Sequence, residues 1–134
     1  MRLPYRRLTT ALGATAAFAS VLALGAAPAH AAGWVFDAKN SIISSEVSSW
    51  TSFAQDGEIL TSNDMKRDGH GTAAQWRYNS RTATHSYYNG NGYANPKRWN
   101  LSFDEGTTLE IRACLQDGSS GTPYDCGGWE YAKA

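Results

Sequence analysis

The chain has 134 residues, twelve Lys and Arg against twelve Asp and Glu, and 12% aromatic residues. Balanced charge without a basic run argues against nucleic acid or an anionic membrane as a partner. The length suits one domain, and the chain lacks the long Leu, Ala, Glu and Lys stretches of a helical protein.

At the start, Arg2, Arg6 and Arg7 precede an uncharged apolar run over residues 8–27, and Ala29-His30-Ala31 is a small-x-small cleavage pattern. This predicts a secretory signal peptide over residues 1–31, and hence a secreted, extracellular protein with no membrane association after cleavage. Arg6-Arg7 leaves the general and twin-arginine export routes both open. The expected mature chain, residues 32–134, is one domain of 103 residues with nine basic and twelve acidic residues, a net charge of −3.

Residues 32–45 open with Trp34, Val35 and Phe36, followed by Asp37, Lys39 and Asn40. Two readings fit: a strand covering a sheet edge, or an extended arm that docks on a partner by strand addition. Strands are expected over residues 47–53 and 58–64, separated by the Asp56-Gly57 turn and followed by the Asp68-Gly69 turn. Thr72 to Tyr78 alternates, with Ala74, Trp76 and Tyr78 on one face and Ala73, Gln75 and Arg77 on the other. Asn89-Gly90-Asn91-Gly92 has the composition of a hairpin turn and should join a strand at 84–88 to a short one at 92–95. Trp99–Phe103, Thr108–Gln116 and Gly128–Ala132 alternate again, separated by Asp104-Glu105-Gly106 and by the loop 117–123. Six or seven short strands predict a small antiparallel β-sandwich, with a small barrel as the alternative.

Cys114 and Cys126 are the two cysteines. In an exported chain they should form one disulfide, contributing about 3 kcal/mol by restricting the unfolded chain. With the two cysteines opposed, Ile111 faces Trp129, Leu109 faces Tyr131 and Glu110 faces Glu130. A tight turn at 104–106 would add Trp99 and Leu101 to these rows and place both cysteines on the outer face.

No catalytic set is evident. His70 and His85 are the histidines of the mature chain, and no free cysteine remains to complete a zinc site. Asp56, Glu58, Asp64 and Asp68 do not follow the spacing of an EF-hand loop. No metal or cofactor is expected. Asp68-Gly69-His70-Gly71-Thr72 resembles the His-Gly-Thr element of subtilisin-like proteases. That family needs a longer α/β domain and a serine motif, so the stretch reads as a glycine-flanked turn.

Trp76-Arg77-Tyr78 resembles the signature triplet of the proteinaceous α-amylase inhibitors of actinobacteria. That likeness implies a six-stranded sandwich presenting the triplet to an enzyme cleft; members carry two disulfides where this chain can form one. Over more of the chain, four stretches resemble small exported actinobacterial β-proteins of unassigned function: Asp68-Gly69-His70-Gly71, the Trp76-Arg77-Tyr78 strand, Ile111-Arg112-Ala113-Cys114 and Cys126-Gly127-Gly128-Trp129. Some of those resemble the adaptor subunit of secreted umbrella-shaped toxin particles, which implies that residues 33–45 engage a partner. The function expected is a non-catalytic binding module for an extracellular protein or glycan. An inhibitor of an extracellular hydrolase acting through Trp76, Arg77 and Tyr78 is the alternative, and a small hydrolase is less favoured.

Overall fold

A computed structural model describes residues 34–39 and 46–134. The segment expected to be the signal peptide, residues 1–31, lies outside the described residues, as do parts of 32–45. Eight strands are described: β1 (Val35–Lys39), β2 (Ser49–Ala54), β3 (Ile59–Asp64), β4 (Gly71–Arg77), β5 (His85–Asn89), β6 (Lys97–Asn100), β7 (Thr108–Gln116) and β8 (Glu130–Lys133). They form two four-stranded antiparallel sheets, ordered β1-β2-β3-β6 and β5-β4-β7-β8. The all-β class, the two packed sheets and the disulfide agree with the sequence reading; the strands number eight rather than six or seven.

The core lies between the sheets. Ala38, Phe53 and Leu60 from the first meet Ala74, Trp76, Leu109, Ile111 and Ala132 from the second. The interior is apolar toward Phe53 and Trp76 and polar toward the other end. There Ser62 and Thr72, on facing sheets, share a buried hydroxyl hydrogen bond of 2.9 Å. The Asn89 amide nitrogen donates to Ser62 O at 2.9 Å and to Asn95 O at 3.1 Å. Its side-chain oxygen accepts from the Asn91 N–H at 2.9 Å. Buried polar groups need such partners, and here they tie one sheet to the other.

Three expected pairings are corrected. Residues 92–95 form no strand: after Asn89 the chain leaves the second sheet and enters the first as β6, which pairs with β3. The Asn-Gly turn is therefore a crossing point, held by Asn89, rather than a hairpin. Secondly, Trp99 and Leu101 do not extend the sheet of β7. Trp99 opposes Leu60 and lies 5.2 Å from the Tyr87 ring. The chain then crosses back. Glu58 holds this crossing, its backbone carbonyl accepting from Leu101 N–H at 3.0 Å and its carboxylate from Phe103 N–H at 2.9 Å. Phe103 plugs the end of the core, 4.9 Å from Trp76 and 6.0 Å from Phe53.

Thirdly, β7 and β8 pair one residue out of the expected register, with Leu109 opposite Ala132, Glu110 opposite Tyr131 and Ile111 opposite Glu130. Near the disulfide, Leu115 bridges Tyr124. Seven residues from Tyr124 to Glu130 thus run beside five from Leu115 to Ile111, so the returning strand carries two extra residues, a bulge. Asp125, with φ of +46°, lies in this segment. A one-residue slip exchanges the faces of a strand. Ala132 and Ala134 therefore fill the core, while Trp129 and Tyr131 lie outside it. Glu110 is spared the expected clash with Glu130.

The disulfide joins Cys114 to Cys126. Cys114 opposes Ala73, on the face away from the main core as expected, and is fully buried.

Candidate functional site

Trp76 and Arg77 end the inner strand β4, Tyr78 follows it, and the three lie in different environments. Trp76 points inward and is 7% exposed. It stacks on His85 with centroids 4.1 Å apart and meets Tyr78 edge-on at 5.3 Å. Arg77 points to the opposite face, where its Nε donates to Glu110 Oε2 at 2.5 Å. Its guanidinium lies 4.0 Å from the centre of the Trp129 ring, and that of Arg112 lies 4.4 Å from the same ring. Burial first, then the charge of Arg77, holds the Arg112 pKa below its ordinary value. Arg112 also donates through Nε to Gln75 Oε1 at 2.7 Å. Trp129 thus covers a polar face rather than joining the core row expected of it. The triplet is not a jointly presented element: only Tyr78, past the strand end, is substantially exposed.

Trp34, Val35 and Phe36 lie at the opposite extreme. β1 and β8 are edge strands of their respective sheets. Phe36 and Tyr131 meet edge-to-face across the two edges at 6.0 Å. Around them Trp34 is 74% exposed, Val35 59% and Tyr131 56%. Exposed apolar side chains scattered singly are ordinary; here three large ones fall on the two edges that Phe36 and Tyr131 bring together. Farther along the same seam, a groove of about 770 Å³ is lined by Asp37, Lys39, Trp50 and Glu130 among others. Trp50 Nε1, in its wall, is a buried donor with no acceptor among the described residues. Trp34 to Phe36 were legible as candidates in the sequence. Tyr131 was missed because the expected register put it inside.

A second cluster escaped the sequence reading. His70 Nδ1 lies 2.9 Å from Asp117 Oδ1, and the Tyr124 hydroxyl donates to Asp117 Oδ2 at 3.1 Å. Asp68 Oδ1 accepts the His70 backbone N–H at 3.0 Å, and Gly69 has φ of +81°, so the glycine-flanked turn is an Asx turn. The contacts join residues 47 apart in sequence, and no local pattern signals them. The partners of the imidazole are a carboxylate and a phenol, neither of which is an acyl-transfer nucleophile.

The hydrogen bond and charge of Asp117 raise the His70 pKa, and the same hydrogen bond lowers that of Asp117. A raised imidazole pKa stabilises below the free value, about 6.5, and the contribution is lost as pH rises through the folded value. A depressed carboxylate pKa stabilises above the free value, and the contribution is lost as pH falls through the folded one. The pair is therefore intact between the two folded values. Proton NMR titration should place the His70 midpoint above about 6.5, returning toward it in Asp117→Asn. An unshifted midpoint in the wild type would exclude the pairing.

Asp56, Glu58, Asp64 and Asp68 do not converge: among the described residues no group of three or more His, Cys, Asp or Glu is placed to hold a metal ion. Nor does any helix among them have the length and apolarity to cross a membrane. The chain matches no family model, no curated protein and no solved structure.

Proposed function

We propose that the protein is a secreted, non-catalytic module that recognises an extracellular protein through the seam where β1 meets β8. The observation that carries this reading is the exposure of Trp34, Val35 and Tyr131 on two sheet edges that meet through Phe36 and Tyr131. Large aromatic side chains dominate the energetics of protein interfaces, and an unpaired strand edge offers backbone donors and acceptors to an incoming strand. Asp37, Lys39 and Lys133, exposed along the same edges, discourage indiscriminate pairing. The disulfide, together with the absence of a membrane-crossing helix among the described residues, fits an extracellular setting. The hydrolase-inhibitor alternative would need Trp76 to leave the core, so the exposed seam is the better-supported surface.

The test is affinity capture from culture supernatant by the wild type and by a Trp34→Ala, Tyr131→Ala double variant. A specific partner should be recovered by the wild type and at least tenfold less by the variant, since interface aromatics typically carry about 2 kcal/mol or more each. The variant should melt within a few degrees of the wild type. Equal recovery by both proteins would end the reading.

A further inference from the structure

A second groove, away from the seam, lies between the turn that follows β3 and the turn that follows β5. It holds about 370 Å³ and is lined by Asp64, Lys66, His70, Tyr88 and Tyr93, with backbone from several glycines. Ligand pockets run from about 300 to 1,000 Å³, so its size suits one or two small rings.

Its floor is built by close packing. The Tyr88 ring lies against Gly71 and Gly90: a Cβ on Gly71 would come within 2.7 Å of the ring and 2.8 Å of Gln116 O, and one on Gly90 within 2.7 Å of the Tyr88 hydroxyl. Only glycine at both positions lets the ring settle there. On one wall, the Arg67 guanidinium sits 4.6 Å from the centre of the Tyr93 ring. One face of that ring is thereby engaged, and the residue stays 41% exposed.

Polar groups converge on the same space. Asp64 Oδ1 accepts the Lys66 backbone N–H at 3.0 Å, and Lys66 Nζ pairs with Glu46 at 3.0 Å. His70 is oriented through Nδ1 by Asp117, so its Nδ1 is occupied and its ring is positioned by the fold. Of the cations that line the groove, Lys66 and His70 are each paired with a carboxylate outside it, Glu46 and Asp117, and Arg67 lies over Tyr93, while Asp64 adds a negative charge, so an anion meets little uncompensated positive charge. An exposed phenol ring, Tyr93, and a half-buried one, Tyr88, beside carboxylate, ammonium and imidazole groups match a ligand with apolar C–H faces and a rim of hydroxyls that both donate and accept.

We propose that this groove binds a short neutral saccharide, one or two rings long, against Tyr88 and Tyr93. The site is independent of the seam at β1 and β8. The test is binding of the purified protein to an immobilised panel of neutral mono- and disaccharides beside sialylated, uronic-acid and sulfated glycans. At least one neutral glycan should be retained. Tyr93→Ala should weaken it about tenfold by removing the exposed ring. Tyr88→Phe, which keeps the ring over the glycines and removes only the hydroxyl, should weaken it several-fold. Trp34→Ala should bind as the wild type does. Failure of every neutral glycan, retention of acidic glycans alone, or undiminished binding by Tyr93→Ala would overturn the proposal.

Discussion

A Trp76→Ala protein should lose about 3–5 kcal/mol of stability in urea unfolding, the range for deleting a buried indole and leaving a cavity. That is a large share of the roughly 5–15 kcal/mol that holds a domain folded. Trp76 stacks on His85 and meets Tyr78 and Phe103 edge-on, and sheet and crossing segment cannot both collapse into the vacated space. Tyr78→Ala, at the exposed end of the same strand, should cost only about 1 kcal/mol. A presented triplet would show the reverse: unchanged unfolding for Trp76→Ala and lost binding for both variants. Near-wild-type stability in Trp76→Ala would therefore contradict its place in the core.

Replacing both cysteines by alanine should lower stability by about 3 kcal/mol, given the 12-residue separation. For a domain of this size that corresponds to a fall in Tm of roughly 12–24 °C. The substitution is chosen so that no polar group is left at Cys114, which is fully buried and next to Gln75. The effect should be greatest where the bulge between Tyr124 and Glu130 returns to β7, because the disulfide fixes the start of that irregular stretch. Hydrogen exchange at Gly127 N–H, which donates to Ala113 O at 2.9 Å, should accelerate in the variant more than at Thr72 in β4. Equal melting temperatures for the two proteins would show that the bridge adds nothing to folding.

Strand positions were legible because alternation is a local property. Residues 58–64, 72–78, 84–88 and 108–116 match β3, β4, β5 and β7 to within one or two residues. Strand partnership was not, because it is decided between distant segments. Asn89-Gly90-Asn91-Gly92 carries the composition of a hairpin turn, yet the buried Asn89 amide spends its hydrogen bonds on Ser62 and Asn95 and turns the chain into the other sheet. Cys114 and Cys126 did locate the return of the chain beside β7, but β8 pairs one residue away from the register that opposing the two cysteines would set, and that odd offset puts Tyr131 outside and Ala132 inside. Of the candidate residues, Trp34, Val35 and Phe36 could be singled out because aromatic and branched residues begin a polar segment. Tyr131 needed the true register. The His70, Asp117 and Tyr124 cluster needed the fold itself, since an isolated histidine between glycines says nothing about a carboxylate 47 positions away.

The three passages of the chain between the sheets, from β3 to β4, β5 to β6 and β6 to β7, also bear on how quickly the molecule can assemble. Strands of one layer are interrupted in the chain by strands of the other: β3 waits for β6 while β4 and β5 are laid down elsewhere, and β4 waits for β7. No contiguous stretch can complete either layer by itself, and most of the ordering entropy is spent before distant partners meet. Folding on the slow side for a small domain, milliseconds to seconds rather than microseconds, is the kinetic signature of such interleaving.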